Sequence, residues 1–361
     1  MLLDGVVNKI LTPYLSFRTR PRLVRRFLHG KNIKPGTRGQ GIKPGRIRVA
    51  AAQVPLYLVE DPLEWVELIY RQVVKGVEAG AQLIVFPEHI TLHLLGLVPG
   101  VKQLARLDLL QGNGSPGAAA LPVSFAGLFG AFGAGVEGLY RATMSSLAGA
   151  FGIYIMGGSR LVPDDAGKVV NQASLFDPQG RLVGSQNKAH LLPLEAQWGI
   201  CRGNRLEIFD TALGKIAFPV CMDATYFETF RILSLLGAEI VIIPIANPEE
   251  YNLWKALRGI WPRVQESCVY GIKSALVGKG FFGLNFTGKA GIFAPLEIQP
   301  PDGLVALAQS PDQEDLVVGD LDLIQLRAAR ARRFREENLN LPLYRRYFPA
   351  IYAKDGAAIK C

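Results

Sequence analysis

A chain of 361 residues with 49% hydrophobic and 20% charged residues has the composition of a packed globular protein, which excludes a disordered chain and a highly charged fibrous one. The formal net charge of +9 is local: twelve Lys and Arg stand against the single acid Asp4 in residues 1–48, and the remainder is near neutral, so nucleic-acid binding by the whole body is not expected. Cys201, Cys221, Cys268 and Cys361 have neither the density of a disulfide scaffold nor zinc-ligand spacing, so reduced thiols, a cytoplasmic location and no metal are expected.

Residues 1–47 read as a basic amphipathic arm. Leu3, Val6, Val7, Ile10, Leu11, Tyr14 and Leu15 follow helical spacing, and Lys9 and the arginines beyond interrupt any apolar leader. Such an arm packs on its own or a partner subunit, or lies peripherally on anionic lipid. No aromatic-interleaved basic groove points to nucleic acid.

At Arg48 the pattern changes. Val49 to Val54 is a short apolar run closed by Pro55, a buried strand that opens a domain over residues 48–335. Leu63, Val66, Ile69, Tyr70, Val73, Val74 and Val77 predict a helix over 61–79, with Gly80 past its end. A strand, Leu83 to Phe86, then stops at Pro87-Glu88 and sets a carboxylate at its carboxyl end, where α/β folds carry active sites. A Gly/Ala-rich stretch, about 112–137, follows. Its nineteen uncharged residues from Ala118 to Val136 approach the length of a membrane span, but Pro122 and the glycines favour a buried or lid-like insertion over a span or an interfacial loop.

Further on, a helix is expected over 139–150, with strands at 153–157, 170–176 and 182–186; the last two are joined by Asp177-Pro178-Gln179-Gly180 as a hairpin. Lys188 follows directly. A strand over 215–220 ends at Cys221, a helix begins at Glu228, and a strand runs from Glu239 to Ile245. Alternation continues to about residue 325, then an Arg-rich helix from Leu323 to Arg335, then an extended tail, 336–361. Mixed hairpins within βαβ order predict a two-layer α/β domain on a mixed sheet rather than a barrel.

A cysteine between a buried strand and a helix gains a helix amino terminus that favours its thiolate and backbone amides that can face an oxyanion. Glu88 and Lys188, from the ends of two other strands, could supply the proton acceptor and the charged neighbour.

Three motifs in order resemble the nitrilase superfamily of carbon-nitrogen hydrolases, with its Glu, Lys, Cys triad: Leu83-Ile84-Val85-Phe86-Pro87-Glu88, Asn187-Lys188-Ala189-His190-Leu191-Leu192-Pro193, and Pro219-Val220-Cys221-Met222-Asp223 with Phe227-Glu228 and Arg231. The resemblance implies an α-β-β-α sandwich, four-layered on dimerisation, with the protein a homodimer or higher homo-oligomer needing no cofactor. It also implies that Glu88 is the general base, Cys221 the nucleophile and Lys188 a stabiliser of the oxyanion, with Glu195 the second carboxylate the family often carries. Met222, Asn247 and Trp198 are the candidates for lining the substrate pocket. Cys221-Met222-Asp223 is similar to the elbow of amide-cleaving branches, so a small-molecule amide or carbamoyl substrate hydrolysed through a thioester is expected ahead of a nitrile. The alternatives are an acyltransferase that passes the thioester's acyl group to an amine, and a membrane-associated non-catalytic member. Phe227 stands where Pro is usual, and the Glu88 to Lys188 interval is long by about the stretch 112–137.

Overall fold

The computed structural model describes residues 2–31, 33, 45–106, 124–335 and 340–353. The first part of the Gly/Ala-rich stretch, most of the link between arm and domain, the ends of the tail, and Cys361 lie outside them.

The arm forms α1 (Leu2–Arg18) and α2 (Pro21–His29). The domain follows as β1 (Arg46–Pro55), α3 (Pro62–Glu78), β2 (Leu83–Val85), α4 (Val101–Leu104), α5 (Phe125–Phe151), β3 (Tyr154–Pro163), β4 (Val169–Phe176), β5 (Leu182–Asn187) and α6 (Pro193–Gln197). Its second half is β6 (Phe209–Thr211), β7 (Gly214–Ala217), α7 (Phe227–Leu235), β8 (Ile240–Ile245), α8 (Leu253–Arg258), α9 (Trp261–Ser267), β9 (Tyr270–Phe281), β10 (Leu284–Phe286), β11 (Gly291–Phe293), β12 (Leu304–Leu307) and β13 (Asp315–Asp322). The helices α10 (Leu323–Arg335) and α11 (Leu341–Ala353) close the chain.

The strands make one mixed sheet whose main path runs β5-β4-β3-β2-β1-β9-β8-β7-β6. Its centre, from β3 through β7, is parallel, with antiparallel pairs at both ends. The sheet curls until its two edges meet, with Gly184 of β5 under the ring of Phe209 of β6. The mixed-sheet α/β class expected of the sequence is borne out, and the near closure follows from the right-handed twist accumulated over nine strands.

β1 shows why the strands read as unbroken apolar runs. Val49 and Ala51 enter the core inside the curl, whereas Ala50, Ala52 and Val54 enter the core under the helices. Alternate residues face opposite sides, so a strand buried on both faces has no polar phase. The helix α3 starts where Asp61 caps it, the carboxylate accepting from Leu63 N at 2.7 Å and Glu64 closing back on Asp61 N at 3.0 Å.

Two expectations are corrected. The helix foreseen over 139–150 begins at Phe125, capped by Ser124, so the described part of the Gly/Ala-rich stretch is a packed helix: of the two forms expected for the insertion, buried or lid-like, it takes the buried one. Its small residues are contact positions: Gly133 lies against the Leu161 carbonyl of β3, and a Cβ on Gly135 would stand 2.6 Å from Leu15 Cβ of the arm. Asp4 fixes the other end, accepting from Ser124 N at 2.8 Å and Oγ at 2.9 Å. The arm is thereby packed on its own chain, with Leu15 and Val24 fully buried. The second correction is the tail, whose residues 341–353 are helical and lean on α7 through Phe348 and Phe227, ring centroids 6.4 Å apart. No helix among the described residues is long and apolar enough to cross a membrane.

Candidate active site

Because β2, β7 and β8 are parallel and β5 is parallel to β3, the segments after all four leave the sheet at one edge. Glu88, Lys188, Cys221 and Asn247 sit there. Cys221 opens a 3₁₀ turn, Cys221–Thr225, ahead of α7, rather than opening the α-helix itself. Its φ of 45° is in the left-handed region that non-glycine residues seldom occupy. Asp223, fully buried, holds that turn: its carboxylate accepts from Val220 N at 2.9 Å, from Ala189 N at 3.1 Å, and from His190 N at 2.7 Å. His190 Nδ1 lies 2.8 Å from the same carboxylate. One acid thus ties the cysteine turn to the loop that carries Lys188.

Glu88 and Lys188 are each 1% exposed. Lys188 Nζ donates to Glu88 Oε1 at 2.9 Å and to Glu195 at 2.9 and 2.8 Å. Glu88 Oε1 also accepts from Asn171 Nδ2 at 2.9 Å, and Oε2 from Ala246 N at 2.9 Å; Glu195 Oε2 accepts from Leu192 N at 2.8 Å. Burial is the largest single influence and would raise the Glu88 carboxyl, but the Lys188 ammonium and the hydrogen bonds the carboxylate accepts together hold the group below its ordinary value. Burial would lower Lys188, yet Glu88, Cys221 and Glu195 hold it well above the ordinary lysine value. Burial and the adjacent Glu88 carboxylate push Cys221 well above an ordinary thiol. The resting state is therefore a thiol beside an ionised carboxylate and an ammonium, not the thiolate that a helix terminus alone would favour.

Cys221 opens into a cavity of about 180 Å³ that Met222 and Asn247 also line, with Asn247 Oδ1 3.7 Å from Cys221 Sγ. Trp198 is not among the cavity's lining residues. It packs against Phe125 and Phe129 at 5.5 Å each, pinning the start of α5. Sequence reasoning passed over Asn171, Asp223 and His89. An asparagine inside the apolar strand β4 was a usable signal, since a polar residue there must find partners; Asp223 stood within a recognised motif without a role. His89 Nε2 lies 3.8 Å from Glu88 and 3.9 Å from Glu195, and burial, against the pull of those carboxylates, keeps its ring below the ordinary value and so neutral near pH 7. Glu88, His89 and Glu195 have ligand atoms within 4.8 Å of one another, but the Lys188 ammonium already bridges the two carboxylates and supplies their countercharge.

The carbon-nitrogen hydrolase family model matches residues 48–331. A probable hydrolase of Bacillus subtilis, YhcX, is 33% identical over 196 residues, 53% of this chain and 38% of that protein. The omega-amidase NIT2 of Danio rerio is 28% identical over 126 residues, 33% of this chain and 45% of its own length. The matched stretches thus span less than half of these relatives. Among solved structures, an amidase from Nesterenkonia sp. AN1 superposes with a TM-score of 0.59 at 20% identity, covering 84% of this chain and 98% of the amidase; at that identity the likeness speaks for the fold.

Proposed function

The chain belongs to the carbon-nitrogen hydrolase family, and from that premise we propose that it cleaves the C-N bond of a small amide or carbamoyl compound through a thioester on Cys221. The observation that carries the reading is the buried cluster itself: the Cys221 thiol next to the Glu88 carboxylate, with Lys188 held between Glu88 and Glu195 at 2.8–2.9 Å. Water-excluded charges in fixed geometry need no reorganisation when the reaction begins.

Cys221 Sγ attacks the carbonyl carbon while Glu88 takes the thiol proton. The tetrahedral oxyanion forms beside the Met222 N-H, one of the donors a helical turn leaves without an internal partner. The recorded hydrogen bonds of Lys188 all go to carboxylates, so its contribution is a fixed positive charge. Collapse expels the amine, which receives the proton from Glu88, and leaves the acyl thioester. Glu88 then takes a proton from water as the hydroxyl adds to the thioester carbon; the acid departs and the sulfur regains its proton. Asn171 and Glu195 are positioning residues, since they hold Glu88 and Lys188 rather than the substrate.

The test is ammonia or amine release from a panel of amides, carbamoyl compounds and nitriles, with wild type against Cys221→Ala. Turnover confined to amides and lost in the variant supports the reading. Nitrile turnover would shift the assignment to a nitrilase, and acylation of Cys221 without release in water would shift it to acyl transfer. Two partner readings accompany it. A homodimer is supported by the apolar residues that α7 and α8 leave exposed, Ile232, Leu235, Leu236 and Trp254, next to the packed α11. Peripheral contact of the arm with anionic lipid is supported by Val6, Ile10 and Phe17, which α1 leaves exposed beside Lys9, Arg22, Arg25 and Arg26.

A further inference from the structure

Lys273 is a charged residue in the middle of the apolar strand β9, and it is 4% exposed. In the β8-β9 ladder it stands opposite Ile243, and both line the cavity into which Cys221 opens. A buried ammonium ordinarily has a carboxylate partner. Among the described residues Lys273 has no ion pair. Its recorded contacts are a long hydrogen bond to the Ala256 carbonyl at 3.5 Å and the Phe293 ring at 5.6 Å. Burial with no opposing charge draws the amine down to about 8, so it keeps its proton near neutral pH at a cost in desolvation.

The acids nearest along the cavity do not answer it. Glu249 lines it but is exposed and pairs with Lys255 at 3.1 Å, and the adjacent Glu250 is exposed too. The rest of the lining near it is apolar: Ile243 and Ile245 on the neighbouring strand, and Ile260. What is missing is an acceptor carrying negative charge, within a space of about 180 Å³ that suits a planar carboxylate on a short chain. Such an arrangement costs stability in the empty protein and is repaid when the anion arrives.

We propose that Lys273 binds a carboxylate at the far end of the substrate, so that the substrates are short amides bearing a second, ionised carboxyl group. The inference rests on the amide-cleaving reading of Cys221 and adds the substrate class. The buried ammonium discriminates by charge, because an uncharged amide of equal length leaves it desolvated and unpaired, whereas a carboxylate gains a charge-assisted hydrogen bond.

The experiment compares glutaramate with valeramide, of equal chain length, in wild type and Lys273→Met. The expected result is a wild-type kcat/KM for glutaramate about 10 to 100 times that for valeramide, the range of a charged hydrogen bond, and loss of that ratio in the variant with the change carried in KM. Equal turnover of the two amides, or a glutaramate preference that Lys273→Met retains, overturns the inference while leaving the amidase reading intact. If neither amide is cleaved, the amidase reading is in question and binding decides for Lys273: glutaramate should bind Cys221→Ala about 10 to 100 times more tightly than valeramide, and equal affinities would overturn it. The wild-type substrate ratio and the binding comparison need no substitution at position 273, so a folding defect in Lys273→Met leaves both standing.

Discussion

Asp223→Asn tests whether the cysteine turn and the lysine loop act as one unit. The carboxylate accepts from Ala189 N and His190 N through Oδ1 and from Val220 N through Oδ2, all at 2.7–3.1 Å, with His190 Nδ1 also on Oδ1. Asparagine keeps one oxygen. Placed at Oδ1, it retains the loop donors without the charge, and its NH2 then meets the Val220 N-H donor to donor. A buried donor left without an acceptor costs about 1–3 kcal/mol, and charge-assisted bonds lose roughly half their strength when made neutral. Together these give about 2–4 kcal/mol of destabilisation, large against the total stability of a domain. Relaxation of the turn also shifts Cys221 relative to Glu88, and a displacement of about 1 Å costs on the order of 100-fold in rate. Calorimetry or circular dichroism gives Tm, and ammonia release gives kcat/KM. The expected outcome is a Tm lowered by several degrees with kcat reduced at least tenfold. A variant with the wild type's Tm and kcat would refute the coupling of the two loops through this acid.

Other outcomes follow from the same geometry. Raised well above the ordinary thiol value, Cys221 should alkylate with iodoacetamide at a rate that still climbs beyond about pH 9, past the free thiol range; a plateau below pH 7, read by mass spectrometry of the Cys221 peptide, would contradict a protonated resting thiol. Glu137→Ala should destabilise by about 3–5 kcal/mol by leaving Arg160, 1% exposed and paired with Glu137 at 2.6 Å, as a buried uncompensated charge. Burial would raise the Glu137 carboxyl, but Arg160 and Arg141 hold it below its ordinary value. Its contribution is therefore present above the unfolded value near ~4.3 and lost as pH falls through the lower folded value, and an acid titration of Tm in wild type against Glu137→Ala should converge only below that range. Light scattering should return a dimer mass that Leu235→Glu with Leu236→Glu converts to monomer; a wild-type monomer would remove the homodimer reading. Vesicles containing phosphatidylserine should retain the protein at low salt and release it when Ile10→Glu and Phe17→Glu are combined, whereas no retention at any salt would end the lipid reading.

The strands were legible because a chain buried on both faces writes itself as unbroken apolar runs, as at Val49 to Val54 and Leu83 to Phe86. Of the three candidate residues, Glu88 and Cys221 were legible because each ends such a run, where the sheet stops and a side chain can turn inward, and Lys188 because it directly follows the hairpin of β4 and β5 within a recognised motif. The start of α5 was not, since Gly127, Gly130, Gly133 and Gly135 have poor helix propensity, and their use as close contacts with the arm, β3 and β4 exists only once those partners are in place. Trp198 misled because an aromatic after a catalytic motif carries no direction; its ring went to Phe125 and Phe129. Lys273 was visible as a lone charge in an apolar strand, but its cavity was not.

The sequence by itself determined which residues end buried strands and in what order, since hydrophobic periodicity and turn chemistry act over a few neighbours. Only the tertiary structure decided that they meet: β5 and β7 lie far apart along the sheet, and the accumulated twist that curls it brings Lys188 and Cys221 together under one acid, Asp223. The protonation states were settled there too, because burial and a neighbour's charge, which shift Glu88, Lys188 and Cys221 in different directions, depend on distances that local sequence does not encode.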